Sequence, residues 1–258
     1  MMGTLLFSLM ALSILTLNCN GIRDQSKRSG LLQWLWSLPV RPDVVWLQET
    51  HCITQVECSS WFSSSGYLAV FSPGSIHSCG CIVLYRSSLS LLHSWCDDSG
   101  RYLQCEFSFC DKVFRVVCLY SPNRNPARDL FLNDLHLKID PLIPTLLAGD
   151  FNCVFNHAQD RRGSDPYDYS RESSSTLSHL FDVCCVTDIW RYLHLSSPGF
   201  TWVRWDGSIS SRIDLFGVPY AWVSSVSSCS VFVCPFSDHR AVSVTISLPD
   251  SIPPGPGF

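Results

Sequence analysis

The chain has 258 residues, 46% of them hydrophobic and 16% charged, enough apolar material for one large core and too much for wholesale disorder. Its net charge of -4 at pH 7 is not that of a protein that coats nucleic acid through a basic surface, but it leaves room for a site that holds a cation with carboxylates. The 14 cysteines are scattered through apolar runs without paired CxxC motifs at zinc spacing, which reads as buried free thiols in a reducing compartment rather than a disulfide framework.

The first residues, MMGTLLFSLMALSILTLN, look like the apolar core of a signal peptide, but no positive residue precedes the run and no small-residue cleavage site follows it. The run passes directly into Asn18 and Asn20, so residues 1–11 are set apart as a leader and Ser13–Leu17 is expected as a core strand; the chain is read as nuclear or cytoplasmic, not secreted. Short runs rich in Val, Ile, Leu, Phe and Cys then predict strands at Val44–Leu47, Leu68–Phe71, Cys81–Tyr85, Leu103–Phe109, Val113–Leu119, Thr145–Ala148, Thr201–Val203, Ile213–Gly217, Val231–Cys234 and Ala241–Leu248. Helical spacing predicts helices over Ser29–Leu38, Ala127–Ile139 and Glu172–Cys185. Many strands with few helices imply packed sheets covered by helices, in one domain over residues 12–249 with a Pro/Gly-rich tail, SIPPGPGF, at residues 250–258. No run is apolar for long enough to span a membrane.

The chemistry lies at the strand ends. Six apolar runs finish in polar clusters: TLNCNG at Thr16–Gly21, VWLQETH at Val45–His51, LYSPN at Leu119–Asn123, LLAGDFN at Leu146–Asn152, SRIDL at Ser211–Leu215 and SDHR at Ser237–Arg240. Alternation along an extended chain pairs Asn18 with Asn20 and Asp150 with Asn152 on one face. Taken singly, GDFN is also a turn sequence, SDH a helix cap, Tyr120 a core tyrosine, Asn18 a turn asparagine, and Arg212 half of a surface salt bridge. Six such clusters in one chain point instead to one pocket at the strand ends. Glu49, Asp150, Asp214 and Asp238 with Asn18, Asn20 and Asn152 are hard oxygen ligands suited to Mg²⁺ or Mn²⁺. His239, Tyr120 and Asn123 can donate hydrogen bonds to a phosphate. These are the parts that phosphodiester hydrolysis requires: an activated water and neutralised charge on the phosphorane.

These motifs, in this order, resemble the endonuclease/exonuclease/phosphatase superfamily over nearly all of Leu12–Leu248. The resemblance implies a DNase I-like fold, a four-layer αββα sandwich of two packed mixed β-sheets covered by helices. It also implies roles. Asn18 and Asn20 fall in the first Asn-rich motif, and Glu49 is the metal-ligating glutamate of QET, with Asn20 and Asp238 beside it at the metal. Tyr120 and Asn123 match Y-x-P-N. Asp150 and Asn152 match GDxN, whose aspartate activates or orients the attacking water. Asp214 orients the histidine, and Asp238 and His239 close the set.

Within the superfamily, three strings resemble the endonuclease domain of LINE-type retrotransposons: QETH at Gln48–His51, GDFNCVFNHAQDRRG at Gly149–Gly163, and TDIWRYLHLSSPGFTWVR at Thr187–Arg204. A complete LINE protein continues into a reverse transcriptase; a chain ending at Phe258 is read as a truncated element, a gene-model relic or a domesticated nuclease. The resemblance implies duplex DNA as partner and a reader loop containing Arg204 and Trp205, with Trp202 assigned to the core. Arg23, Lys27, Arg28, Arg124, Arg128, Arg161, Arg162, Arg204 and Arg240 are candidates for gripping phosphates or ordinary solvated residues. Competing readings are an exonuclease III-like AP endonuclease or 3′-trimming enzyme of base-excision repair, a lipid phosphatase, and an inactive remnant or binding module.

Overall fold

The run ALSILTLN folds as strand β1 (Ala11–Asn18), buried from Leu12 onward. The computed structural model describes residues 11–140, 142–163 and 173–247; most of the predicted leader, the tail from residue 250 and the expected helix start at Glu172 lie outside them. In chain order there follow α1 (Gln25–Ser37), β2 (Val44–Gln48), α2 (Gln55–Phe62), β3 (Leu68–Ser72), β4 (Cys81–Tyr85), β5 (Ser90–Cys96), β6 (Tyr102–Phe109), β7 (Lys112–Tyr120) and α3 (Ala127–Leu135). Then come β8 (Thr145–Asp150), α4 (His157–Asp160), β9 (Arg161–Arg162), α5 (Ser174–Val183), β10 (Val186–Asp188), α6 (Ile189–Leu193), β11 (Trp202–Val203), β12 (Ser210–Ser211), β13 (Asp214–Pro219), a 3₁₀ turn (Tyr220–Ser225), β14 (Val226–Val233) and β15 (Arg240–Ser247).

The strands make two six-stranded mixed sheets, ordered β14-β15-β1-β2-β4-β3 and β10-β13-β8-β7-β6-β5, and a small sheet β11-β12-β9. Each large sheet contains a parallel pair, β1 with β2 and β7 with β8. A parallel pair requires a crossover, and α1 and α3 supply it. The side chain of Asp24 caps α1 by accepting the Lys27 N–H at 2.8 Å, and Leu38 turns extended ahead of Pro39.

Alternation assigns the two faces of each strand to different cores. Leu12 and Ile14 of β1, Trp46 of β2, Val116 and Cys118 of β7, Ala148 of β8 and Phe216 of β13 fill the space between the sheets, where Trp46 stacks on Phe216 with ring centroids 5.2 Å apart. The intervening Leu15, Leu17 and Val45 pack under α1 and α2, and Val117, Leu119, Leu147 and Leu215 under α3 and α5. This yields the four-layer αββα arrangement. Its consequence for function is parity: Asn18, Tyr120, Asp150 and Asp214 carry the same parity as the residues of the inter-sheet core. The site is the polar rim of that core.

Strand β5 and helix α2 lacked a signal in apolar periodicity. Strand β5 is exposed at nearly every position and exists through its ladder with β6. Helix α2 buries only Cys58 and Phe62, yet Thr54-x-x-Glu57 is a capping sequence, and the Thr54 hydroxyl accepts the Glu57 N–H at 3.2 Å. Helix α3 stops at Leu135 rather than Ile139. All 14 cysteines are free thiols. Among the described residues no helix is long and apolar enough to cross a membrane.

Candidate active site

Two strand ends meet face to face. At the end of β1 the Asn18 side-chain carbonyl accepts the Asn20 N–H at 3.0 Å; at the end of β8 the Asp150 carboxylate accepts the Asn152 N–H at 2.9 Å. These are Asx turns, and Asn20 and Asn152 both have positive φ, 46° and 52°. The pairs Asn18/Asn20 and Asp150/Asn152 therefore share the pocket because each chain curls back on itself, which corrects the expectation of straight extended alternation. The two turns are joined by Asn18 Nδ2 donating to Asp150 Oδ2 at 2.9 Å. Gly149 makes the junction possible, since at φ +143° a Cβ would lie 2.0 Å from the Leu119 carbonyl oxygen.

Asp150 is 1% exposed. On its far side His239 brings Nε2 to 3.9 Å from Asp150 Oδ2, and His239 Nδ1 lies 2.8 Å from Asp214 Oδ2. Asp214 is held in turn by Thr201, whose hydroxyl oxygen accepts the N–H groups of Ile213 and Asp214 at 3.2 and 3.0 Å. Ser237 pins the SDH turn, donating to the Asn18 carbonyl at 2.6 Å and accepting the His239 N–H at 3.0 Å. Burial opposes charge on His239, but contact with Asp214 and the proximity of Asp150 override it and raise its pKa to about 10. Burial, and then the Asp214 charge, raise the Asp150 pKa well above the carboxylate range, against His239 and the hydrogen bonds from Asn18 and Asn152.

These shifts carry a stability signature. A histidine whose folded pKa lies above its unfolded value stabilises the fold below the unfolded pKa, about 6.5, and loses that contribution as pH rises through about 10. In chelator, the melting temperature is expected to fall between pH 6.5 and pH 10, and His239→Gln to flatten that slope. A slope unchanged by the substitution would show that His239 is not held as an imidazolium.

The pocket opens above this centre as a cavity of about 400 Å³. Among the predicted site residues, Asn18, Asn20, Glu49, Tyr120, Asn123, Asp150, Asn152, Arg204, Asp238 and His239 line it. Asp214 lies behind His239, at 1% exposure. Trp205 stands at the tip of the β11–β12 hairpin, 95% exposed and off the pocket wall. Of the arginines weighed for phosphate contact, Arg124, Arg128, Arg161 and Arg204 line the cavity. Arg23 instead pairs with Glu57 at 2.6 Å, and Arg28 lies over the Trp61 ring at 4.6 Å.

Two expectations are corrected. Trp202 belongs to the pocket wall rather than the core: its indole N–H donates to Asp238 Oδ2 at 3.1 Å, while Asn20 Nδ2 donates to Asp238 Oδ1 at 3.0 Å. Arg212 is no surface residue. At 1% exposure its guanidinium bridges Asp160 at 2.9 Å and Asp188 at 2.7 Å, and Arg191 joins Asp160 at 2.6 Å. This network ties the strings GDFNCVFNHAQDRRG and TDIWRYLHLSSPGFTWVR to the SRIDL cluster. Removing one partner of a buried pair strands the remaining charge, so Arg212→Met is expected to cost about 3 kcal/mol of stability, read by urea unfolding. A loss under about 1 kcal/mol would place the pair among weak surface bridges.

Carboxylate and amide oxygens of Glu49, Asp238 and Asn20 form a donor set for a hard divalent cation. No described residue donates a hydrogen bond to the Glu49 carboxylate, although its backbone carbonyl accepts the Gly21 N–H at 2.7 Å. Burial chiefly raises its pKa, with Asp238 and Asp214 adding to the effect and His239 and Arg101 opposing it. A half-buried carboxylate among like charges is the environment a bound cation relieves. Asp150, Asp214 and His239 also bring one ligand atom each within 4.8 Å of one another, so this cluster could hold a metal. Asp214 Oδ1 is buried without a hydrogen-bond partner.

The chain is 31% identical over 251 residues to a Xenopus laevis protein described as "Transposon TX1 uncharacterized 149 kDa protein", a match covering 95% of this chain and 19% of that protein, so the chain spans about a fifth of that relative's length. Its fold is similar to that of AP endonuclease LMAP from Leishmania major, with TM-score 0.75 and 19% identity over 93% of this chain and 88% of that one. It is also similar to the 3′ phosphatase NExo from Neisseria bound to product DNA hairpin, with TM-score 0.69 and 20% identity over 90% of this chain and 98% of that one. Residues 15–239 match the model of the endonuclease/exonuclease/phosphatase family, to which this chain belongs.

Proposed function

We propose that this chain is a magnesium-dependent phosphodiesterase that nicks duplex DNA, an endonuclease domain of the LINE retrotransposon type. One observation carries the chemistry. Asp150 is held by two donors in a buried centre with the ring of His239, beneath a cavity whose wall also presents Glu49 and four arginines. In such a site Asp150 orients the attacking water and takes its proton, Asn152 and Asn123 hold that water and the phosphate, and His239 and Tyr120 donate to the phosphoryl oxygens. Asp214 fixes the imidazole ring. A Mg²⁺ held by Glu49, Asn20 and Asp238 would neutralise charge developing on the phosphate, and Mn²⁺ is expected to substitute. The transposon relative, matched along 95% of this chain, favours the LINE reading over repair.

Substrate choice follows from the hairpin. An element that inserts into undamaged chromosomes needs a primer end in intact duplex, so its endonuclease reads groove width and deformability. Arg204 on the cavity wall and the exposed Trp205 at the tip support assigning that contact to this hairpin. With Mg²⁺, supercoiled plasmid is expected to be nicked at a preferred subset of sites, with only a modest gain from an abasic nucleotide. Replacing both residues by alanine is expected to flatten the site preference more than it slows cutting. If abasic duplex is cut orders of magnitude faster than intact duplex, where unstacking is already accomplished, the repair reading replaces this one.

A further inference from the structure

Against the ring of Tyr120 lies Arg101, a residue that no motif marks. Arg101 ends the turn DDSGR, in which one carboxylate oxygen of Asp97 accepts the N–H groups of Arg101 and Tyr102, both at 3.0 Å. Gly100 has φ +70°, and a Cβ there would lie 2.3 Å from the Pro73 carbonyl oxygen, so the turn is pressed against the neighbouring loop. Gly80 of that loop donates to the Gly100 carbonyl at 2.9 Å and accepts the Thr50 N–H at 3.0 Å, one residue past Glu49. The turn is thus locked to the backbone of the site before Arg101 reaches out. Its side chain then meets Tyr120 twice. The guanidinium carbon lies 4.8 Å from the phenol ring centroid, and Nη1 donates to the Tyr120 carbonyl at 3.2 Å. The Tyr120 N–H completes the clasp by donating to the Arg101 carbonyl at 2.8 Å.

We propose that Arg101 is a positioning residue that acts through Tyr120: the guanidinium fixes the ring and polarises its hydroxyl toward the phosphate. A cation over the face of a phenol draws electron density from the ring and strengthens the O–H as a donor. Tyr120 is buried against the inter-sheet core on its other side, so Arg101 determines which way the hydroxyl leans; at present that hydroxyl donates to Asn123 Oδ1 at 3.1 Å. The inference rests on the reading of this pocket as a phosphodiesterase site.

The test is a double-mutant cycle on the full chain. Arg101→Met is expected to lower kcat about ten-fold, the scale of a partly desolvated cation–π contact, with KM nearly unchanged. Arg101→Lys, which keeps the cation, is expected to recover most of the loss. In the Tyr120→Phe background Arg101→Met is expected to change kcat less than about two-fold, because the hydroxyl it polarises is gone. Equal losses in both backgrounds overturn the proposal, since they place the effect of Arg101 elsewhere. A second readout needs no activity. With tyrosine labelled at ¹³Cζ, the Tyr120 signal, identified by its loss in Tyr120→Phe, is expected to move in Arg101→Met and to stay near its wild-type position in Arg101→Lys. If wild-type protein cuts no phosphodiester, the functional reading fails while this signal still decides the arrangement; a signal indifferent to Arg101→Met overturns the proposal.

Discussion

Asp150→Asn and His239→Ala are each expected to lower kcat by about 10²–10⁴-fold, the usual contribution of a positioned acid or base, while circular dichroism stays that of the wild type. The asparagine keeps the shape and the acceptor for the Asn152 N–H but cannot take a proton from water. Its effect on stability should run opposite to its effect on rate. The carboxylate of Asp150 is buried, faces the Asp214 charge and has a raised pKa, so in metal-free protein its ionised form works against the fold. Asp150→Asn is therefore expected to melt at or above the wild-type temperature in chelator. Loss of activity with a gain in stability separates a chemical role from a structural one. A rate within two-fold of wild type in both variants would remove Asp150 and His239 from the chemistry.

Glu49→Ala and removal of divalent cation are expected to converge on the same phenotype. Charge neutralisation by a bound metal supplies several kcal/mol at the transition state, which corresponds to a loss of about 10³-fold at ~1.4 kcal/mol per decade. Chelation should abolish cutting, and Mg²⁺ or Mn²⁺ should restore it. Binding can be read without turnover. Because a cation bound there would relieve repulsion among Glu49, Asp238 and Asp214, Mg²⁺ is expected to raise the melting temperature of the wild type and to raise it far less in Glu49→Ala. Full activity in excess chelator would reject the metal mechanism. An equal thermal shift in both proteins would move the metal away from Glu49, toward the cluster of Asp150, Asp214 and His239.

Legibility followed burial. The inner strands of both sheets were readable because they are apolar on both faces, and every such run marks a strand whichever way it is packed. Strand β5 was not readable: its side chains face solvent and only its backbone ladder makes it a strand. Arg212 was misread for a related reason. An arginine between two serines and an isoleucine carries no mark of burial; the mark is two aspartates, Asp160 and Asp188, that lie 52 and 24 residues away. Trp202 was assigned to the core because tryptophan usually is core, whereas its indole N–H found Asp238 across the pocket.

By itself the sequence determined that polar clusters end six apolar runs, and hence that carboxylates and amides would gather at one rim of the sheets. Those are local facts, set by residue type and by the two-residue period of a strand. Only the tertiary structure decided how the rim is wired. Asn18 meets Asp150 across 132 residues, His239 meets Asp214 across 25, and Arg101 folds over Tyr120 from the turn that precedes β6. The direction in which each polar group faces depends on Asx turns with positive φ at Asn20 and Asn152 and on parity inherited from a core between two sheets. Neither is visible until the sheets have packed, because a side chain's protonation and orientation are set by the charges and volumes it meets there.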